Sequence, residues 1–156
     1  MSAIDIFGLL VPVTYLVMLG IEAAFPARQF PPIPYWRLKG FCFLTVQGLL
    51  ATLSPLVIPE HWLAAHRLMN LESLGVIGGA ALGYAVVSLA SYAWHRSAHT
   101  FPLMWRLFHQ IHHSPRRLEV VTSFYKHPLE MVANSLVGTV LVYPLLGLSP
   151  EAGAVY

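Results

Sequence analysis

The chain has 156 residues, of which 56% are hydrophobic and only 10% are charged. A soluble domain usually carries about a quarter charged residues, so this composition argues against one. A net charge of +2 is too small to indicate nucleic-acid binding, and the single cysteine, Cys42, excludes an intrachain disulfide and a multi-cysteine metal site. We expect Cys42 to be a small, buried apolar side chain.

Four apolar segments follow one another along the chain, and each is close to the ~20 residues that a membrane-spanning helix needs. Lipid offers the backbone no hydrogen-bond partners, so each segment is expected to be helical. The sequence therefore predicts an all-α integral membrane protein with about four transmembrane or near-spanning helices. We divide it into N-terminal membrane helices and connections (residues 1–73) and a second domain (residues 74–156). The predicted segments are about Ile4–Phe25, Gly40–Ile58, Leu74–Trp94 and Leu129–Leu148.

The connections between these segments predict the orientation of the chain. A proline-rich stretch over residues 25–35 separates the first predicted helix from the second, because proline lacks a backbone donor and cannot continue a helix. Three basic residues follow the first segment, one follows the second and five follow the third. By the positive-inside rule, the first and third connections lie in the cytoplasm.

Two features of the segments are explained by the structure of a helical membrane protein. Gly75, Gly79 and Gly83 are spaced four apart in the third segment, which favours close approach of another helix on that face. Aromatic side chains near the segment ends suit the headgroup level of a membrane. Tyr35, Trp36, Trp62, Trp94 and Trp105 belong to this set.

Six of the eight histidines fall between residues 95 and 127, in the third connection. His95 and His99 are four apart, so on a helix they share one face, where the third helix leaves the membrane. Pro102 then starts a second helix, which ends at Ser114-Pro115. That helix carries three more histidines: His109, His112 and His113.

This clustering predicts a metal site. Imidazoles that become protonated side by side repel one another, and a metal ion holds each ring neutral. Such a site suits zinc, copper, iron or nickel. The His-Glu-x-x-His pattern of zinc proteases and the Glu-x-x-His pattern of carboxylate-bridged di-iron bundles are both absent from the sequence. His61 and His66 are five apart, do not share a face, and are interpreted as surface residues.

Three motifs together resemble the sterol desaturase and fatty acid hydroxylase superfamily. They are His-Arg-x-x-His at His95–His99, Met-Trp-Arg-x-x-His-x-x-His-His-Ser at Met104–Ser114, and His-Pro-Leu-Glu at His127–Glu130. The resemblance covers roughly Leu74–Leu148, so residues 74–156 would form a fatty acid hydroxylase-like domain with a helical histidine-box cap on the cytoplasmic side.

The resemblance implies an oxidoreductase with two iron ions that uses O₂ to hydroxylate or desaturate a sterol or fatty acyl lipid. Electrons would come from a cytoplasmic donor, ferredoxin-like or cytochrome b5-like. The implied metal ligands are His95, His99, His109, His112 and His113. His127, Glu130, Arg96 and Arg106 are implied to act behind the ligands or on the substrate side. No catalytic residue is implied beyond the metal ligands.

Two alternatives stay open. One is a histidine-lined membrane protein that binds or transports metal, or binds haem. The other is a non-catalytic remnant, because the resembling family carries a further histidine box that these residues lack. We therefore expect residues 1–156 alone to bind metal weakly and to lack lipid oxidation. Ser149-Pro150-Glu151 is expected to start another helix.

Overall fold

Helices occupy all four apolar segments in a computed structural model, which describes residues 3–156 apart from the side chains of residues 3–8, 11, 51, 52, 54–56 and 60. No β-strand occurs in that range, which confirms the predicted all-α class. The α-helices are α1 (Ala3–Ala24), α2 (Trp36–Val57), α3 (Glu60–Ala65), α4 (Gly75–Thr100), α5 (Pro102–Met104), α6 (Pro128–Val140) and α7 (Pro150–Val155). Short 3₁₀-helices lie at Glu72–Leu74 and Val120–Thr122, and π-helices lie at Trp105–His109 and Leu141–Leu145.

Two of these helical stretches are long and apolar enough to cross a membrane, Glu72–Thr100 and Pro128–Leu145. Less than a third of the apolar part of each stretch is buried, and on Glu72–Thr100 Ile77 is 86% exposed and Leu89 is 70% exposed. Helices α1 and α2 have 22 residues each. Their passage through a membrane stays a prediction, as does the cytoplasmic side of the histidines.

The proline-rich stretch separates α1 from α2, as predicted, and a second segment is anchored beside it. The Arg117 guanidinium donates to the Glu119 carboxylate at 2.6 and 2.7 Å and to the Pro31 carbonyl at 2.9 Å. The Trp36 indole donates to the same Glu119 carboxylate at 2.6 Å. The Glu22 carboxylate accepts from the Val120 amide at 3.0 Å. These contacts hold residues 117–120 against the end of α1 and the start of α2.

The predicted glycine packing is confirmed at two of three positions. A Cβ at Gly79 would lie 2.9 Å from the Ala152 Cβ, and one at Gly83 would lie 3.2 Å from a Leu148 methyl. Both glycines therefore let the C-terminal residues, including α7, pack on α4. Gly75 instead begins α4 with a φ of +66° and meets nothing within 4 Å. The main buried apolar cluster lies here and contains Val142, Leu146, Leu148 and Ala152.

Two smaller expectations have opposite outcomes. The Ser149 hydroxyl accepts from the Ala152 amide at 3.2 Å at the start of α7, as predicted. Cys42 is exposed on α2, so the expectation of a buried thiol was wrong. The apolar block around Cys42 is a helix with an open outer surface, and an apolar sequence does not distinguish that surface from a protein core.

Candidate metal centre

Helix α4 supplies the first two histidines from its last turns. His95 and His99 are exposed, and their Nε2 atoms lie 3.1 Å apart. The four-residue spacing on a regular helix explains this contact, because such residues lie on the same face one turn apart. α4 ends at Thr100, and Pro102 occupies the first turn of α5, as the sequence predicted.

The second group of histidines does not lie on a regular α-helix, contrary to the prediction. Residues Trp105–His109 form a π-helix, in which the Gln110 amide donates to the Trp105 carbonyl at 2.8 Å. Hydrogen-bonded turns follow over residues 110–113. The five-residue bond widens this turn, whereas His109 and His113, four residues apart, still meet as they would on an α-helix. His109 is completely buried and its side chain reaches the histidines of α4.

Four imidazoles converge at this point. His109 Nε2 lies 3.2 Å from His99 Nε2 and 3.0 Å from His113 Nε2. One nitrogen from each of His95, His99, His109 and His113 lies within 4.8 Å of the others. We call these four residues the histidine cluster.

The nitrogen spacing fits the coordination sphere of one metal ion. Metal–imidazole bonds of about 2.0–2.1 Å place neighbouring nitrogens about 3.0–3.4 Å apart and opposite ones about 4.2 Å apart. The measured contacts of 3.0, 3.1 and 3.2 Å fall in the first range. The remaining pairs lie within 4.8 Å, so small shifts of the side chains would bring all four nitrogens onto one ion.

A buried carboxylate orients the central ring of the cluster. Glu130, on the first turn of α6, has Oε1 2.8 Å from His109 Nδ1. When Glu130 is ionised, the Nδ1–H donates to this oxygen, and the Nε2 lone pair is then directed at the other histidines. Both side chains are almost fully buried, 1% and 3% exposed. A carboxylate behind a histidine ligand is a common arrangement in metal sites.

The histidine cluster keeps His109 neutral. Burial lowers the pKa of His109 to about 4, and positive charge on His95, His113 or His99 would lower it further. Burial also lowers the pKa of His113. At physiological pH the His109 ring is therefore an electron-pair donor, which is the form that binds a metal.

A model of the fatty acid hydroxylase family matches residues 80–156, which contain the whole histidine cluster and Glu130. Residues 80–156 belong to the fatty acid hydroxylase family. This confirms the resemblance seen in the sequence. Comparisons with the curated proteins and with solved structures gave no match.

Within the fatty acid hydroxylase domain, one aromatic side chain has a position that sequence reasoning missed. Trp105 was interpreted only as a residue of the membrane interface, yet its ring stacks on His113 at 5.5 Å and contacts His99 at 5.4 Å. It forms a wall of the histidine cluster. Its position in the sequence, just before the second group of histidines, could have indicated that it lies beside them.

His112, the fifth implied ligand, stands beside the histidine cluster and not in it. Its ring centroid is 5.3 Å from His109 and 5.2 Å from His113. Its Nδ1 is buried and has no hydrogen-bond partner among the described residues. Glu130 Oε2 is also buried without a partner there. Such groups usually find a partner; the His112 ring also interacts with the Tyr125 backbone, and Glu130 Oε2 is open to a ligand.

The other implied residues lie outside the histidine cluster. His127 caps α6, and its Nδ1 accepts from the Leu129 amide at 3.1 Å. Arg96 donates to the Tyr92 hydroxyl at 3.3 Å, and Arg106 forms no hydrogen bond or ion pair within the described part of the chain. His66 stacks on Trp62 in the α3 region and is exposed, as expected for a surface residue.

Proposed function

We propose that this chain is a membrane-bound oxygenase that uses iron and O₂ to oxidise a C–H bond of a lipid, by hydroxylation or desaturation. The observation that carries the proposal is the convergence of His95, His99, His109 and His113 within a fatty acid hydroxylase domain. When bound, iron would supply the activation of O₂ and the removal of hydrogen.

The chain's own residues would hold and orient the metals. The histidine cluster would bind one ion, with Glu130 fixing the tautomer of His109. A second ion is proposed beside it, where His112 Nδ1 and Glu130 Oε2 lack partners among the described groups. Trp105 would limit the access of water to His113 and His99.

The surroundings of the histidine cluster suit a lipid substrate that stays in the membrane. Exposed apolar side chains lie close to the cluster in sequence: Leu89 and Tyr92 precede it on α4, and Phe101, Leu103 and Leu107 lie between its two halves. A sterol or acyl chain would contact this surface while its reactive carbon reaches the metal centre. Electrons would come from a cytoplasmic ferredoxin-like or cytochrome b5-like donor.

The metal content of matched variants tests the site. The detergent-purified protein, equilibrated anaerobically with Fe²⁺, should bind iron weakly, as expected above for residues 1–156 alone. His109→Ala should lose most of it, because His109 is the central ring of the histidine cluster. His61→Ala should keep it, because His61 is exposed on α3. Equal iron in both variants would show that the cluster is not the site.

Labelled oxygen tests the reaction. Cells that produce the protein are grown under ¹⁸O₂, and their lipids are compared by mass spectrometry with those of cells producing His109→Ala. Hydroxylation adds one ¹⁸O atom to the lipid, whereas desaturation removes two hydrogens without adding label. A protein that binds iron but changes no lipid would favour the non-catalytic alternative. Metal movement across vesicles would favour the transport alternative.

A further inference from the structure

A second site lies apart from the histidine cluster, in a cavity of about 890 Å³. Its walls come from the end of α1, the proline-rich stretch, the start of α2 and residues 116–121. Residues 117–120 are the anchored segment described above, so the cavity has one fixed wall. The charged lining residues are Glu22, Arg28, Arg37, Arg116, Arg117 and Glu119.

The charges in this cavity do not cancel. Arg117 and Glu119 form an ion pair with each other, and the Glu22 carboxylate is occupied by the Val120 amide. The other three arginines have no carboxylate within ion-pair distance among the described side chains: Arg28, Arg37 and Arg116. Four arginines and two glutamates therefore leave the lining with a net charge of +2, and Arg37 acts on Glu119 by lowering its pKa.

The same cavity has an apolar side. Leu19 on α1 and Phe41 on α2 line it, and both helices carry exposed apolar residues beside these positions, such as Leu16, which is 60% exposed. A cavity lined both by arginines and by apolar helix residues fits a molecule with an anionic head and an apolar tail.

We propose that this cavity binds the phosphate group of an anionic membrane lipid, with the acyl chain along Leu19 and Phe41. Guanidinium groups match phosphate oxygens through paired hydrogen bonds, and basic residues beside membrane helices attract anionic lipids. A concave site that combines basic and apolar lining residues suits a lipid better than the broad surface of an acidic protein. The proposal requires no metal, so it is independent of the proposed oxygenase function.

Native mass spectrometry of the detergent-solubilised protein provides the test. The protein is titrated with dioleoyl phosphatidic acid, with zwitterionic dioleoyl phosphatidylcholine, and with soluble glycerol 3-phosphate. We expect phosphatidic acid to be retained in preference to phosphatidylcholine. Arg37→Gln or Arg116→Gln should weaken that binding about tenfold, the usual effect of removing one charged hydrogen bond.

Lys39→Gln is the matched control, because Lys39 lies two residues from Arg37 on α2 but does not line the cavity. This variant should bind phosphatidic acid as the unmodified protein does. Competition by glycerol 3-phosphate at equal concentration would show that the cavity binds phosphate but that the ligand is a free phosphate and not a lipid. Equal retention of both lipids, or equal loss in Arg37→Gln and Lys39→Gln, would overturn the proposal. Since Arg116 is exposed and unpaired within the described residues, its variant should fold normally.

Discussion

Glu130 connects α6 to the histidine cluster through one short hydrogen bond to His109. Leucine at this position keeps a buried side chain of similar size but removes the acceptor, so the His109 ring would lose its fixed tautomer and direction. We expect Glu130→Leu to lower the affinity for Fe²⁺ or Co²⁺ about 10- to 100-fold, as for other residues that orient a metal ligand.

A competition titration with a metal indicator measures this change. Glu130→Gln keeps an oxygen acceptor and should recover part of the affinity, whereas a general loss of folding would not be rescued in this way. Glu151→Leu, on the exposed start of α7, serves as the control and should bind metal normally. Unchanged affinity in a folded Glu130→Leu protein would contradict the orienting role.

At the scale of elements, the segment around Glu119 should respond to acid. The hydrogen bond from Arg117 lowers the pKa of Glu119, burial opposes that shift, and the Trp36 indole lowers the pKa further. A folded pKa below the unfolded value means that the stabilisation is present above the ordinary value of 4.5 and is lost as the pH falls through the folded pKa.

We therefore expect the thermal midpoint of the detergent-solubilised protein to fall more steeply below about pH 4.5 than that of Glu119→Gln, which cannot titrate. The glutamine variant should be the less stable of the two at pH 7, because its amide does not pair with Arg117 as a carboxylate does. Parallel pH profiles for the two proteins would show that this ion pair does not contribute.

The sequence predicted the helices better than it predicted the contacts between them. Long apolar runs bounded by proline place α1, α2, α4 and α6, because backbone hydrogen bonding in an apolar setting leaves few alternatives. The π-helix at Trp105–His109 departs from the 3.6-residue periodicity on which helix reasoning depends, so the sequence did not predict the local structure that carries His109. The Trp36–Glu119 contact joins residues 83 apart, and neither residue carries a local signal for it.

At the scale of the whole molecule, the contact between α4 and α7 should tolerate no extra methyl group at Gly79. In Gly79→Ala the new Cβ would lie 2.9 Å from the Ala152 Cβ, and neither methyl can rotate away. We expect a loss of about 1–3 kcal/mol in unfolding free energy, typical of overpacking. Gly78→Ala should be neutral or stabilising, because its Cβ would meet only Leu74 at an ordinary 3.4 Å.

A double-mutant cycle with Ala152→Gly separates packing from helix propensity. If the two methyl groups collide, Gly79→Ala should cost less in the Ala152→Gly background than in the natural one. Equal costs in both backgrounds would place the effect elsewhere.

The orientation of the chain in a membrane is a separate prediction, based on the three, one and five basic residues of successive connections. Two variants are made in a Cys42→Ser background, Ser114→Cys and Ala65→Cys. Each carries a single thiol at an exposed position. An impermeant maleimide added to intact cells should label residue 65 and spare residue 114 until the membrane is opened. Labelling of residue 114 from outside would reverse the predicted orientation.

The His127 cap on α6 has a consequence for how Glu130 reaches the histidine cluster. The cap fixes the residue at which the helix begins, and Glu130 then lies at a set rotation around the helix axis. Each residue of a helix turns by 100° and rises by 1.5 Å, as its geometry of 3.6 residues per turn requires. Inserting or deleting one residue between His127 and Glu130 would therefore swing the carboxylate away from His109 while preserving every residue type in the motif. The number of residues between the cap and the acid is as much a part of this site as the acid itself.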